Sequence, residues 1–249
     1  MEPLQTSTRV PVVYTMGKVA SSSTSGAIQA AGMTCHDIHT LTHKNLLNQV
    51  QYWLEKDKFP PQHVCVSMAY REQVLLKRNK CFYISLVRDP VARNMSAFFE
   101  NLHLLGEEGK NETDPEKLFD YFSRNYQHTA PLTWFDREFK AELGIDVYAR
   151  PFNHKDRYSR LDGASGVLFR ADCPDEVKSR VLSKALGRTI TVGRLNDGNN
   201  KYYSEAYNKM KKMVTFPSQF LDEMYDSAFV RHFWTPDEID KMKSNWTIR

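Results

Sequence analysis

One stretch of the chain decides the fold: Val12-Val13-Tyr14-Thr15-Met16-Gly17-Lys18-Val19-Ala20-Ser21-Ser22-Ser23-Thr24. An apolar run ends at a glycine and a lysine, a cluster of hydroxyl side chains follows, and the segment from Ser23 onward predicts a helix. A strand, a tight loop and a helix in this order direct backbone N–H groups and the positive end of a helix dipole at one point, where an anion can bind. The stretch therefore predicts a phosphate-binding loop.

The loop departs from the Walker A pattern. That pattern needs a glycine five residues before the Gly-Lys pair and a Ser or Thr directly after it. Val12 and Val19 occupy those two places here. The order from Lys18 to Thr24 instead resembles the sulfotransferase loop that holds the 5′-phosphosulfate of 3′-phosphoadenosine 5′-phosphosulfate (PAPS). A serine-rich turn that caps an ordinary helix is the alternative interpretation.

Strand and helix patterns alternate along the first half of the chain. We predict strands at residues 10–15, 34–40, 63–69, 81–87, 147–152 and 166–170. Residues 81–87 are nearly all apolar, which is typical of a central parallel strand buried on both faces. The alternation indicates an α/β fold with a P-loop-like parallel sheet flanked by helices, followed by a mainly helical C-terminal half. Because no linker divides the sequence, we expect a single domain over residues 1–249.

A second informative segment follows the strand predicted at residues 81–87. Arg88 stands at the C-terminal end of that strand, where open α/β sheets bind ligands. Asp89 and Pro90 suit the N-cap and the first position of a helix. Ser96 lies about two turns into that helix, on a side that core packing does not need. A guanidinium binds phosphate through two hydrogen bonds, whereas the structural alternative is an Arg–Asp surface pair and a neutral helical serine.

The two segments together resemble the signatures of PAPS-dependent sulfotransferases, in which an arginine at a strand end and a serine on the next helix hold the 3′-phosphate of PAPS. The wider pattern looks closest to a bacterial group of capsular polysaccharide synthesis proteins that is similar to the heparan-type 2-O-sulfotransferases. The residues that carry this likeness are 17–23, 87–94, 144–148, 225–227 and 231–233. Chemistry can be assigned only to the first two of these segments.

The resemblance implies a reaction and a role for each site residue. A sulfuryl group moves from PAPS to a hydroxyl of a carbohydrate or another small hydroxylated metabolite, and no metal is expected. Lys18 is expected to be catalytic, in contact with the bridging oxygen and the sulfonate, while Arg88 and Ser96 are expected to hold the 3′-phosphate. The residues expected to bind the rest of the donor are Gly17, Lys18, Ala20, Ser21, Ser22, Ser23 and Thr24.

The general base that takes the proton of the acceptor hydroxyl is expected to be a histidine, because imidazole titrates near neutral pH. His36 and His39 lie three residues apart on the second predicted strand, so they point to opposite faces. His39 is nearer the C-terminal end of that strand and is the preferred base. His63 is expected at the N-terminal end of the third strand, away from the sheet edge where ligands bind. His103 lies about two turns beyond Ser96.

Charge and composition limit the classes of partner. The 249 residues carry a net charge of +4, which suits an anionic small ligand and falls short of a nucleic-acid-binding surface. Cys35, Cys65 and Cys81 lie in or beside apolar runs, so we expect buried free thiols in a reducing compartment. No apolar run reaches the length of a membrane span and the N-terminus has no signal-peptide pattern. The sequence therefore predicts a cytoplasmic protein.

Two other functions remain open from the sequence. A nucleotide kinase or another P-loop enzyme depends on Mg²⁺, and Asp89 at the end of a strand could be a metal ligand. A nucleotide-binding protein that has lost its activity is the non-enzymatic alternative. The intact Lys18 with its hydroxyl neighbours favours an active enzyme.

Overall fold

One five-stranded sheet organises the fold. The structure is a computed structural model that describes residues 9–76, 81–105, 111–162, 165–193 and 201–247. The strands found there are β1 (Val10–Tyr14), β2 (His36–Ile38), β3 (Cys81–Val87), β4 (Tyr158–Arg160) and β5 (Gly166–Arg170). Their order is β2-β1-β3-β5-β4, with β4 antiparallel to β5 and the other neighbours parallel. The α/β class that the sequence predicts is confirmed, with a mostly parallel sheet.

Helices occupy most of the remaining described chain. The α-helices are α1 (Ser21–Ala30), α2 (His43–Leu54), α3 (Gln62–Leu76), α4 (Pro90–Glu100), α5 (Pro115–Asn125), α6 (Asp175–Leu186), α7 (Ser204–Met213), α8 (Ser218–Tyr225), α9 (Ala228–Phe233) and α10 (Pro236–Ser244). Two 3₁₀ turns and one π-helical segment are also present: Leu102–Leu105, Ala130–Thr133 and Asp136–Leu143. None of the helices in the described ranges is both long enough and apolar enough to cross a lipid bilayer.

The two central strands, β1 and β3, set the position of the candidate site. Every residue of β3 is buried, as are four of the five residues of β1. Val12 of β1 pairs with His36 on one side and with Tyr83 on the other. Because β1, β2 and β3 are parallel, their C-terminal ends lie at the same edge of the sheet. The loop that follows β1 therefore lies beside the end of β2.

The chain divides into two compact units. The first contains Met1–Val87 and Trp134–Leu195 and includes the whole sheet. The second contains Arg88–Thr133 and Asn196–Arg249 and is helical around an aromatic core, in which the rings of Phe98, Phe122, Tyr126, Phe216 and Phe220 are in contact. This division does not test whether residues 1–249 fold as one domain, which stays a prediction.

The strand predicted at residues 63–69 is wrong, because these residues belong to α3. A short alternating run fits a strand as well as one face of a helix. The buried residues Val64 and Ser67 lie three positions apart, as on a helix face. The sequence also predicts a short helix over residues 71–78: residues 71–76 are the second half of α3, and residues 77–78 lie outside the described ranges. Cys65 is exposed on α3 rather than buried as predicted.

The strand predicted at residues 147–152 is also wrong, since this segment is irregular. Pro151 lies within it and has no N–H to donate to a neighbouring strand. The edge strand is β4 instead, where Tyr158 pairs with Phe169 and Arg160 with Val167. The predicted positions of the other strands are confirmed, although β2 is shorter than residues 34–40.

Candidate functional site

The loop between β1 and α1 has a left-handed backbone at three residues. The φ angles are +76° at Gly17, +60° at Lys18 and +70° at Ala20. Glycine adopts this region freely, whereas for a residue with a side chain this conformation costs about 1–2 kcal/mol. Backbone strain of this kind clusters at ligand-binding sites, and consecutive N–H groups in such turns form concavities that bind anions. The Lys18 side chain beside them is partly exposed.

Helix α1 begins directly after this loop, at Ser21, two residues before the predicted start. Ala20 precedes it and has no side-chain oxygen, so that residue cannot cap the N–H groups of the first turn. Ser21 and Thr24 are buried, and Thr24 Oγ1 donates a hydrogen bond to the Ala20 carbonyl over 3.4 Å. Ser22 is exposed and Ser23 is half-buried. The helix start therefore combines backbone donors with accessible hydroxyl groups.

His39 lies beside the loop, directly after the last residue of β2. A Cβ atom on Gly17 would lie 3.7 Å from three atoms of the imidazole ring, including Nε2. Nδ1 of His39 is 3.0 Å from the carbonyl oxygen of Thr15. Because a carbonyl can only accept, Nδ1 carries the proton of the neutral ring and Nε2 carries the lone pair. Trp134 Nε1 donates to the His39 carbonyl over 3.2 Å, which holds the backbone there.

Two further titratable residues accompany His39. Asp37 Oδ1 is 3.8 Å from His39 Nδ1, and the Asp37 carboxylate also accepts a hydrogen bond from Ser21. Burial raises the pKa of Asp37, and His39, Ser21 and His63 oppose that rise. His63 lies in the first turn of α3, where desolvation and nearby His39 lower its pKa and Asp37 acts in the opposite direction. The prediction that His63 lies at the far end of the sheet is therefore wrong.

The other histidines considered from the sequence lie elsewhere. His36 packs against the ring of Tyr70 on α3, with the ring centroids 3.8 Å apart, and burial lowers its pKa. His103 belongs to the second unit, where its Nδ1 lies 3.1 Å from the carbonyl oxygen of Glu100. In the first unit His39 thus lies beside the loop, His63 lies close enough to His39 for their charges to interact, and His36 packs against α3.

A buried carboxylate, Glu138, holds the segment that follows His39. Glu138 lies in the π-helical segment and is 2% exposed. It accepts hydrogen bonds from the side chains of Tyr14, Thr40, Thr42 and Asn45, and from the backbone N–H groups of Leu41 and Thr42. Burial and the charge of Glu138 raise the pKa of Tyr14. The Glu138 carboxylate thereby ties β1, the connection from β2 to α2, and α2 itself together.

Arg88 and Ser96, the residues predicted for the 3′-phosphate, belong to the second unit. Arg88 directly follows β3, and Ser96 is half-buried on α4. Arg88 lies close enough to Arg93 for its charge to lower the pKa of Arg93, after a larger effect of burial. Arg93 Nη1 donates to Tyr126 Oη over 3.3 Å. Two guanidinium groups therefore lie near the start of α4.

Asp89, the possible Mg²⁺ ligand of a kinase, is engaged in packing the second unit. Asp89 Oδ1 accepts hydrogen bonds from the N–H groups of Val91 and Ala92 at 2.9 and 3.1 Å. The Tyr225 hydroxyl donates to the same oxygen over 2.9 Å. Burial raises the pKa of Asp89. This carboxylate is therefore a helix cap and an internal acceptor.

Sequence reasoning missed Asp37 and Glu138. Asp37 is two residues before His39, so the alternation of a strand places both side chains on one face, and that spacing was a usable signal. Glu138 lies 124 positions from Tyr14 and 98 from Thr40. No local pattern links residues so far apart, because only the folded chain brings them together.

Comparison with known proteins gives one match. A protein-family model described as "Putative capsular polysaccharide synthesis protein" (NKWYS) matches residues 111–235, half of the chain. The matched range includes Glu138 and Tyr225 but neither the loop after β1 nor the start of α4. Searches of the curated proteins and of the solved structures find no match.

Proposed function

The chain belongs to the NKWYS family of capsular polysaccharide synthesis proteins, and from this premise we propose that it is a PAPS-dependent sulfotransferase acting on a hydroxyl of a carbohydrate or similar acceptor. The observation that carries the proposal is the left-handed backbone at Gly17, Lys18 and Ala20. Strain in residues 18 and 20 is a cost that an ordinary helix cap does not require. A bound anion at the start of α1 explains why the chain keeps that conformation.

The loop residues fit the phosphosulfate end of PAPS. The first-turn N–H groups of α1 and the hydroxyls of Ser22 and Ser23 are donors suited to phosphate oxygens. Lys18 brings a positive charge to the same place. When bound, PAPS supplies the sulfuryl group. Arg88 and Ser96 keep their assignment to the 3′-phosphate as a prediction, and the P-loop-like description of the sheet belongs to the same proposal.

Lys18 and His39 have different roles in the proposed reaction. Negative charge grows on the leaving phosphate during sulfuryl transfer, and an ammonium group held beside it stabilises that charge. His39 presents Nε2 with its lone pair at Gly17, so it can accept the proton of an acceptor hydroxyl. Its Nδ1–H donates to the Thr15 carbonyl at 3.0 Å, which keeps the ring in the tautomer that a base needs.

Binding of adenosine 3′,5′-bisphosphate, the product nucleotide, tests the proposal without an acceptor. Calorimetry is expected to show much tighter binding of the bisphosphate than of 5′-AMP, and stronger binding than that of ATP with Mg²⁺. Arg88→Ala is expected to remove most of the preference over 5′-AMP. Loss of one charge-assisted contact, about 1.5–3 kcal/mol, corresponds to tenfold or more in Kd.

The matched control for this measurement is Arg150→Ala. Arg150 is an exposed arginine that pairs with Asp162 at 2.8 Å in the first unit, so its loss is expected to leave bisphosphate binding unchanged. Equal affinity of the wild-type protein for the bisphosphate and for 5′-AMP contradicts the sulfotransferase proposal as a whole.

A further inference from the structure

The carboxylate of Asp37 has a buried oxygen beside His39. Within the described chain, Asp37 Oδ1 is buried and has no hydrogen-bond partner. A buried polar atom in this condition costs free energy, about 1–3 kcal/mol. Nδ1 of His39 lies 3.8 Å from this oxygen. This oxygen lies at the edge of the proposed active site. It is therefore placed to stabilise a positive charge that forms there during the reaction.

We infer that Asp37 is a positioning residue that acts through His39: its carboxylate stabilises the imidazolium ring that forms when Nε2 takes the acceptor proton. This inference rests on the proposed function. In the neutral ring, the single N–H at Nδ1 is directed to Thr15, so Asp37 makes no hydrogen bond with it. Once the proton of the acceptor hydroxyl has moved to Nε2, the ring is a cation 3.8 Å from a carboxylate.

A second contact fixes the carboxylate in place. The hydroxyl of Ser21, the first residue of α1, donates a hydrogen bond to Asp37. Ser21 is 5% exposed, so little water competes for this bond. The start of α1 adds the positive end of its dipole to the stabilisation of an ionised Asp37. One carboxylate thereby joins the loop, the helix that follows it and the base.

Titratable groups near Asp37 come from more than one element. His39 follows the end of β2, and His63 in α3 lies close enough to Asp37 for their charges to interact. Lys18 is next to Gly17 in the loop after β1. When His63 is protonated, its charge opposes a second positive charge on His39. Asp37 is the negative group among these residues. These residues therefore bind one added proton more readily than two, and the negative charge of Asp37 stabilises the histidine that carries it.

Proton NMR titration of the histidine C2–H signals tests the inference in the free protein, with no donor and no activity. Signals of His39 and His63 are assigned from the variants His39→Gln and His63→Gln. In Asp37→Asn, the midpoints of both signals are expected to move to lower pH, because a nearby negative charge that stabilises both imidazolium ions is lost. Asparagine keeps the shape and can still accept from Ser21. Unchanged midpoints in Asp37→Asn overturn the inference.

Kinetics in a PAPS-coupled assay give the second readout. In Asp37→Asn, kcat/KM is expected to fall about tenfold or more, part of the hundredfold or more that a general base supplies. The acid limb of its pH profile is expected to move to lower pH, while Kd for the bisphosphate stays within a few-fold. Asp37→Glu restores the charge and is expected to move the limb back. An equal loss at every pH, with the limb in place, marks a merely structural residue and overturns the inference.

The control variant is Asp57→Asn. Asp57 is an exposed carboxylate with φ +54°, a conformation that asparagine also tolerates. It is expected to change neither the histidine midpoints nor the acid limb. If the wild-type protein binds no bisphosphate and turns over no acceptor, the proposed function fails, and the NMR titration alone then decides whether Asp37 stabilises the charged ring of His39.

Discussion

At the scale of single residues, the backbone conformation of the loop after β1 is unfavourable in free energy. Lys18 and Ala20 both hold positive φ angles, and each position costs about 1–2 kcal/mol in a residue with a side chain. In the proposed function Lys18 supplies a positive charge at this position, which glycine lacks. The side chain of Ala20 supplies no such charge. The two residues therefore give opposite expectations when they are replaced.

Lys18→Ala is expected to lower kcat about a hundredfold or more, the range seen when one electrostatic stabiliser of a transition state is removed. The measurement is turnover in a PAPS-coupled assay, with Kd for the bisphosphate determined beside it. Lys44→Ala is the control, because Lys44 is an exposed lysine on α2. A loss of only a few-fold in Lys18→Ala contradicts the catalytic assignment of this lysine.

Ala20→Gly is expected to raise the free energy of unfolding by about 0.5–1 kcal/mol. Glycine relieves the left-handed strain at φ +70°, and its larger conformational entropy when unfolded cancels part of the gain. Ala27→Gly, in the interior of α1, is expected to do the opposite and cost about 1 kcal/mol. Urea unfolding of both variants measures the difference. Similar destabilisation by the two substitutions contradicts the strain assigned to residue 20.

At the scale of elements, the π-helical segment Asp136–Leu143 brings Glu138 to the centre of the first unit. Such widened turns are rare and occur most often at functional sites. Here the segment delivers a carboxylate to β1 and to the connection from β2 to α2. The residues that follow His39 thus take their position from an element about a hundred residues further along the chain.

Glu138→Ala is expected to destabilise the protein by about 3 kcal/mol or more. The loss leaves the buried N–H of Leu41 without its acceptor at 2.8 Å, and each unsatisfied group of this kind costs about 1–3 kcal/mol. Glu142→Gln is the control, four residues along the same segment. It changes one ion pair with Arg71 at 3.4 Å and is expected to cost less than about 1 kcal/mol. Equal effects in urea unfolding contradict the role of Glu138.

At the scale of the whole molecule, three histidines make stability depend on pH. The pKa values of His36, His63 and His128 are lowered, and desolvation is the largest cause in each case. His128 is half-buried; its Nε2 donates to the Phe122 carbonyl over 3.0 Å, and its buried Nδ1 has no hydrogen-bond partner in the described chain. The unfolded state therefore binds more protons than the native state just below the ordinary histidine pKa of about 6.5.

Stability is accordingly expected to fall as the pH drops from about 6.5 to about 5, because protons favour the unfolded chain in this window. Burial raises the pKa values of Asp37 and Asp89, which act in the opposite direction nearer the titration of carboxyl groups. The midpoints of urea unfolding, measured across this pH range, test the predicted direction of the change in stability. His128→Gln is expected to reduce the slope, and stability that rises on acidification to pH 5 contradicts the assignment.

The sequence alone determined the class of the fold and the position of the loop. Apolar runs at β1 and β3 are long enough to identify buried strands, and Asp89-Pro90 marks a helix start, because these signals are local. The loop could be recognised for the same reason, since glycine, lysine and hydroxyl residues follow a strand directly. Short amphipathic segments were mispredicted: residues 63–69 fit the two-residue repeat of a strand as well as one face of a helix, and in the folded chain they belong to α3.

The tertiary structure alone decided which residues surround His39. His63 lies close enough to Asp37 and His39 for their charges to interact because α3 packs on β2. Glu138 binds the Leu41 N–H because a distant segment returns to the sheet. Contacts of this kind depend on where whole elements dock. Side-chain periodicity reports only which face of an element is buried, so it carries no information about the partner that covers that face.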